Sequence, residues 1–111
     1  MDYSIERRQD AVVVLVNGRV DESNWEAFGA GLSKAIEQAT ELSLTTLIIN
    51  LADLNYMSSR GLRVLTVAKR QGDEAGVSVI LAAPNAVMRE ILSISRYDKL
   101  FTVLDSIDNR P

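Results

Sequence analysis

The sequence predicts an α/β domain built on a mixed sheet of four to five strands, with its helices packed mainly on one face. Two observations lead to this prediction. Short runs such as AVVVLV (11–16) and VSVILA (77–82) are too apolar to face water on one side, which is typical of inner strands. These runs alternate with segments whose apolar residues recur every three or four positions, as in amphipathic helices. Strands that alternate with helices usually pair in parallel through right-handed crossovers.

The N-terminal segment predicts a hairpin followed by a helix. Tyr3–Arg8 alternates weakly between apolar and polar residues, which indicates an edge strand, and a turn at 9–10 leads into the inner strand Ala11–Val16. This antiparallel start makes the sheet mixed. After a break at 17–18 a helix begins, where Ser23 and Glu26 fit a capping box. Its buried stripe is formed by Trp25, Phe28, Leu32, Ile36 and Ala39.

The rest of the chain repeats the alternation of strand and helix. A buried strand is expected at 44–51, a short loop at 52–57, and a second helix from Ser58 or Ser59 to about Asp73, with Gly76 as its C-cap. A strand at 77–82, a helix opened by Pro84 and a last strand at 100–104 complete the order β-β-α-β-α-β-α-β. Residues expected to be mostly buried are Trp25, Phe28, Leu32, Leu47, Ile49, Leu65, Val79, Leu81 and Ile91.

Composition narrows the classes of function. The 111 residues suit one domain, 1–111, and the formal net charge of −3 without a Lys/Arg cluster argues against nucleic acid or a membrane surface as partner. Cysteine and histidine are absent, which removes thiol nucleophiles, imidazole bases and their metal sites. We therefore expect no enzyme activity, no cofactor and no metal. Without an apolar leader or spanning segment, we expect a cytoplasmic protein, by default a monomer.

The segment 56–63 (YMSSRGLR) is the candidate functional site. It follows a buried strand and begins a helix, at the sheet edge where α/β proteins bind ligands and partners. A serine there caps the helix, and a phosphate on it would add a charge of about −2 beside free backbone N–H groups. Arg60 and Arg63 share a face of the first turn and could bind acidic groups of a partner or steady a phosphate.

Three stretches together resemble the STAS domain family, the fold of anti-sigma factor antagonists such as stage II sporulation protein AA. NGRVD (17–21) is similar to the family's approach to its first helix. LIINLADLNYMSSRGLRVL (47–65) resembles its strand–loop–helix block, and PNAVMREILSISRYDKLFTVLDS (84–106) its third helix and last strand. The resemblance covers nearly the whole chain.

The resemblance implies a partner switch. Antagonists of this kind bind an anti-sigma factor that is also a serine kinase; phosphorylation of one serine ends the association, and a serine phosphatase restores it. By family position that serine is Ser59. The expected docking surface is formed by or lies beside Asp21, Tyr56, Met57, Ser58, Arg60, Gly61 and Arg63.

This chain departs from the family pattern at three places. Ser58 stands where the sporulation protein has an aspartate, Arg60 replaces a small residue after the acceptor, and the C-terminal helix is cut to 105–111. Two other functions remain open. One is a STAS subunit that regulates a membrane transporter of the lipid ABC type without phosphorylation, in which Ser59 would be only a cap. The other is a nucleotide-binding sensor, although no glycine-rich loop supports it.

Overall fold

The computed structural model describes residues 2–107, which form seven strands and four helices. The strands are β1 (Tyr3–Arg8), β2 (Ala11–Val16), β3 (Gly18–Val20), β4 (Thr46–Asn50), β5 (Leu54–Met57), β6 (Ser78–Ala82) and β7 (Val103–Leu104). The helices are α1 (Trp25–Glu41), α2 (Ser59–Ala75), α3 (Ala86–Ile94) and α4 (Tyr97–Leu100).

Five of the strands form the main sheet in the order β1-β2-β4-β6-β7. β1 runs antiparallel to β2, and the remaining pairs are parallel, as expected for strands joined by helices. The predicted mixed sheet and its edge hairpin are therefore confirmed. Because three parallel strands end at one edge, the segments that leave β2, β4 and β6 meet there.

Side chains alternate between the two faces of the sheet and sort into two clusters. Val12 and Val14 of β2 join the large core beneath α1, α2 and α3, whereas Val13 of the same strand joins a small cluster on the opposite face, against which Ile107 packs. The helices thus lie mainly on one face, as predicted. Of the residues expected in the core, all are buried except Trp25 and Ile91, which are half-buried.

Three local predictions are wrong. The expected loop at 52–57 contains β5, which pairs with β3 in a separate two-stranded sheet. The expected strand at 100–104 is reduced to β7, because the preceding residues form α4. The Tyr97 ring stacks on the Phe101 ring, with 6.2 Å between the ring centroids. The expected capping box does not form, because the Ser23 hydroxyl donates to Asp21 Oδ1 at 2.6 Å and α1 starts after Asn24.

The ends of α2 agree with the prediction. Ser58 is its N-cap, and Gly76 closes it with a φ of 74°, a left-handed conformation that glycine adopts without steric cost. The segment 105–111, expected to be too short for a stable helix by itself, lies partly outside the described residues.

Candidate functional site

The small β3–β5 sheet places the end of β3 beside the start of α2. Val20 pairs with Met57, and the amide of Ser58 donates to the carbonyl oxygen of Val20 at 2.9 Å. Asp21, which follows β3, is thereby held close to the residues that open α2. The parallel pairing of these two short strands brings together two segments more than thirty residues apart in sequence.

The two adjacent serines occupy different environments. Ser58 is 9% exposed, and its hydroxyl oxygen accepts the amide N–H of Gly61 at 3.2 Å, the hydrogen bond that caps α2. Ser59 is exposed at the first residue of the helix, and its hydroxyl makes no hydrogen bond within residues 2–107. One hydroxyl is therefore used by the helix, and the other is presented to solvent at the positive end of the helix dipole.

Met57 and Gly61 lie beneath the surface. Met57 is 2% exposed, and a Cβ at Gly61 would stand 2.6 Å from Met57 Cγ and 2.8 Å from Val20 Cγ1. Only a glycine lets the first turn of α2 approach the β3–β5 sheet this closely, since real side chains do not tolerate such distances. These two residues, with Ser58, support the site from below, while Tyr56, Ser59, Arg60 and Arg63 are exposed.

Asp21 and Tyr56 are linked through an arginine. The Arg19 guanidinium lies 4.5 Å from the centre of the Tyr56 ring, and its Nε is 3.6 Å from Asp21 Oδ2. Asp21 Oδ1 also accepts hydrogen bonds from the hydroxyl and the amide of Ser23. These bonds from Ser23, helped by the positive charge of Arg19, hold the pKa of the Asp21 carboxyl below its usual value.

We expect Ser23→Ala to raise the pKa of Asp21 toward its ordinary value, because the hydroxyl of Ser23 is the strongest of these influences. A lowered pKa stabilises the fold fully above the ordinary carboxyl pKa, and this contribution disappears as the pH falls through the lowered value. An NMR pH titration of the Asp21 carboxyl carbon measures the change. Ser33→Ala in α1 is the control and leaves the titration unchanged; an unchanged titration in Ser23→Ala would contradict the assignment.

Arg60 and Arg63 differ in their surroundings. Arg60 Nε is 3.4 Å from Glu22 Oε2, and its guanidinium lies 5.2 Å from the centre of the Trp25 ring. Both members of this ion pair are largely exposed, so the pair contributes at most about 1 kcal/mol and can be exchanged for another partner. Arg63 has no ion pair within the described part of the chain and is free to meet an anion.

Three residues of this site were not predicted from the sequence to belong to it. Glu22 and Trp25 connect the start of α1 to Arg60, and Arg19 connects Asp21 to Tyr56. The Arg19–Asp21 ion pair joins residues two apart in sequence. The other contacts cross the β3–β5 pairing or link the start of α1 to α2, so they depend on which segments become neighbours and no local pattern in the sequence signals them.

The chemistry available at this site is that of recognition and modification. In residues 2–107 no group of three or more acidic side chains is arranged to hold a metal ion. The described helices include none that is both long and apolar enough to cross a membrane. The site offers an exposed hydroxyl at a helix start, an exposed aromatic ring and three exposed guanidinium groups, those of Arg19, Arg60 and Arg63. Such groups suit contact with a protein surface and binding of an anion such as phosphate.

Comparison with known proteins gives one consistent family. The family model of the STAS domain matches residues 2–109. An anti-sigma F factor antagonist of Lysinibacillus sphaericus is 31% identical over 87 residues, which cover 78% of this chain and 72% of that protein.

Solved structures agree with this match. The anti-sigma factor antagonist SpoIIAA in its unphosphorylated form is 25% identical with a TM-score of 0.72, and the match covers 92% of this chain and 87% of that one. The Bacillus cell fate determinant SpoIIAA in its phosphorylated form is 25% identical with a TM-score of 0.64, covering 92% and 90%.

Proposed function

The chain belongs to the STAS domain family, among its anti-sigma factor antagonists, and we propose that it acts by partner switching under the control of phosphorylation at Ser59. In its unmodified form it binds an anti-sigma factor that is also a serine kinase. The kinase transfers phosphate to Ser59, which ends the association, and a serine phosphatase resets the switch. The cycle takes place in the cytoplasm, with the antagonist as a monomer and no catalysis of its own.

The observation that carries the proposal is the difference between the two serines. The Ser59 hydroxyl is exposed and unengaged, while the Ser58 hydroxyl is nearly buried and accepts the Gly61 amide. A kinase must bring its active site to within bonding distance of the acceptor oxygen, and of the pair only Ser59 permits this without opening the helix.

The surroundings of Ser59 favour a phosphate that leaves the fold intact. The first amides of α2 and the helix dipole stabilise negative charge at this position. Arg63 lies four residues further on, on the same side of the helix, without an ion pair among the described residues. The effect of the phosphate is therefore expected at the interface with the partner rather than on stability.

The docking surface that we propose surrounds Ser59. Tyr56, 37% exposed, provides an amphipathic ring of the kind enriched in protein interfaces. Asp21, Arg60 and Arg63 offer charges of both signs within the same patch, while Met57 and Gly61 set its shape from beneath.

Phosphate mapping tests the acceptor. The chain is incubated with its cognate anti-sigma factor kinase and ATP, and the modified residue is located by mass spectrometry. We expect one phosphate on wild type, none on Ser59→Ala, and an unchanged phosphate on Ser93→Ala, an exposed serine of α3. Ser58→Ala loses the helix cap, which costs about 1 kcal/mol, but still accepts phosphate. Phosphate on Ser58 with none on Ser59 would refute the assignment.

A further inference from the structure

A groove of about 650 Å³ lies between α1 and α2 and opens to solvent next to the site. Its α1 wall runs from Trp25 to Ser33 and its α2 wall from Arg60 to Gln71. At the rise of an α-helix, these walls are about 12 Å and about 16 Å long. The volume is within the range of small-molecule sites, about 300–1,000 Å³.

The middle of the groove is apolar because the residues there are small or aliphatic. Gly29 and Ala30 of α1 leave space opposite Val64 and Val67 of α2, and a Cβ at Gly29 would only reach ordinary contact with Val64 at 3.6 Å. Val67 is 41% exposed although it is aliphatic. The middle of the groove therefore favours a hydrocarbon chain.

The polar groups are arranged unevenly along the groove. Arg60 and Arg63 lie at the end near the helix starts, whereas at the opposite end the Ser33 hydroxyl donates to Gln71 Oε1 at 3.0 Å. Glu22 forms an ion pair with Arg60. Glu26 also lies on the α1 wall, but neither it nor Arg63 forms an ion pair among the described residues. The Arg63 guanidinium is therefore the one left for a ligand. Positive charge available to an anion is thus confined to one end.

We propose that this groove binds a single-headed anionic amphiphile of the fatty carboxylate class. The carboxylate is held by Arg63, with Arg60 able to exchange its exposed Glu22 for the ligand, and the hydrocarbon tail lies along Gly29, Ala30 and Val67. An acidic helix docked in this groove would need basic residues along the full length of the walls. The basic residues lie at one end only, so the groove does not suit such a helix. The proposal does not depend on the partner switch, because the isolated chain binds the ligand.

Trp25 gives a direct signal of binding. It is the single tryptophan of the chain, it lines the groove, and its ring carries the Arg60 guanidinium. Titration with dodecanoate below its micelle concentration is expected to change the emission of Trp25 in a saturable manner. Dodecyltrimethylammonium, which has the same tail and the opposite charge, is expected to bind at least tenfold more weakly.

Matched variants locate the ligand. Arg63→Gln is expected to weaken dodecanoate binding at least tenfold, while Arg70→Gln, at an exposed arginine outside the groove, stays within twofold of wild type. Ala30→Leu narrows the groove and weakens binding at least tenfold, whereas Ala27→Leu, at an exposed alanine of the same helix outside the groove, does not. Circular dichroism verifies that each variant is folded.

Several results would overturn the proposal. Equal affinity for the two dodecyl amphiphiles would remove the role of the arginines, and equal weakening by Ala30→Leu and Ala27→Leu would place the ligand elsewhere. Saturable binding of an acidic amphipathic peptide, with no response to dodecanoate, would assign the groove to a protein partner instead.

Discussion

Ser59→Asp is expected to weaken the affinity of the protein for its kinase by more than a hundredfold while the fold stays intact. The new carboxylate lies at the start of α2, where the dipole and the free amides accept negative charge. In the complex the same carboxylate must leave water at the centre of the docking surface, and a buried unpaired charge is costly. A loss of about 3 kcal/mol corresponds to more than a hundredfold in the dissociation constant.

Calorimetric titration with the kinase measures this change, and thermal unfolding verifies that the variant is folded. Ser93→Asp introduces the same charge at an exposed serine of α3, and we expect it to bind like wild type. Ser59→Ala keeps its affinity because it adds no charge. If Ser59→Asp and Ser93→Asp bound the kinase equally, the charge at the helix start would not be the switch.

Two helix glycines are expected to respond to alanine with opposite signs. A Cβ at Gly72 of α2 would lie 2.5 Å from the carbonyl oxygen of Val77 and 2.7 Å from Val79 Cγ2. The amide of Val77 donates to the carbonyl of Gly72 at 2.7 Å, so the backbone cannot separate without weakening this bond. Overpacking of about 3 kcal/mol, less about 1 kcal/mol of gained helix propensity, leaves Gly72→Ala about 2 kcal/mol less stable.

Gly29→Ala is the matched control in α1. Its Cβ would make ordinary contact with Val64 at 3.6 Å, so the gain in helix propensity remains, and we expect stabilisation of about 0.5–1 kcal/mol. Chemical denaturation of both variants measures the two signs. Loss of stability in both, by similar amounts, would show that the close packing of α2 on the β6 side is not what requires glycine at position 72.

The sequence by itself determined the inner strands of the main sheet and the buried face of α1. Apolar runs identified β2, β4 and β6 because strands buried on both faces are apolar along most of their length. The sequence also predicted the buried apolar stripe of α1 and the Gly76 C-cap of α2, since both depend on residues close together in sequence. The same local signals placed a serine cap at the start of α2, although they did not distinguish Ser58 from Ser59.

Only the tertiary structure decided which residues of the site contact one another. β3 and β5 are three and four residues long, too short for an alternating pattern to stand out, and they are stable as strands because they pair with each other. That pairing brings Asp21 and Arg19 to Tyr56, and the packing of α1 beside α2 brings Trp25 and Glu22 to Arg60.

Long-range pairing also decided the roles of the two serines at the start of α2. The amide of Ser58 bonds to Val20, which fixes Ser58 as the buried cap and leaves Ser59 facing solvent. Ser23 fitted a capping box in the sequence, yet its hydroxyl bonds to Asp21, two residues before it, instead of capping α1. The exposure of Ser58 and Ser59 depends on the segments that the fold brings near, and at Ser23 spacing alone does not decide which of two local hydrogen-bond partners is used.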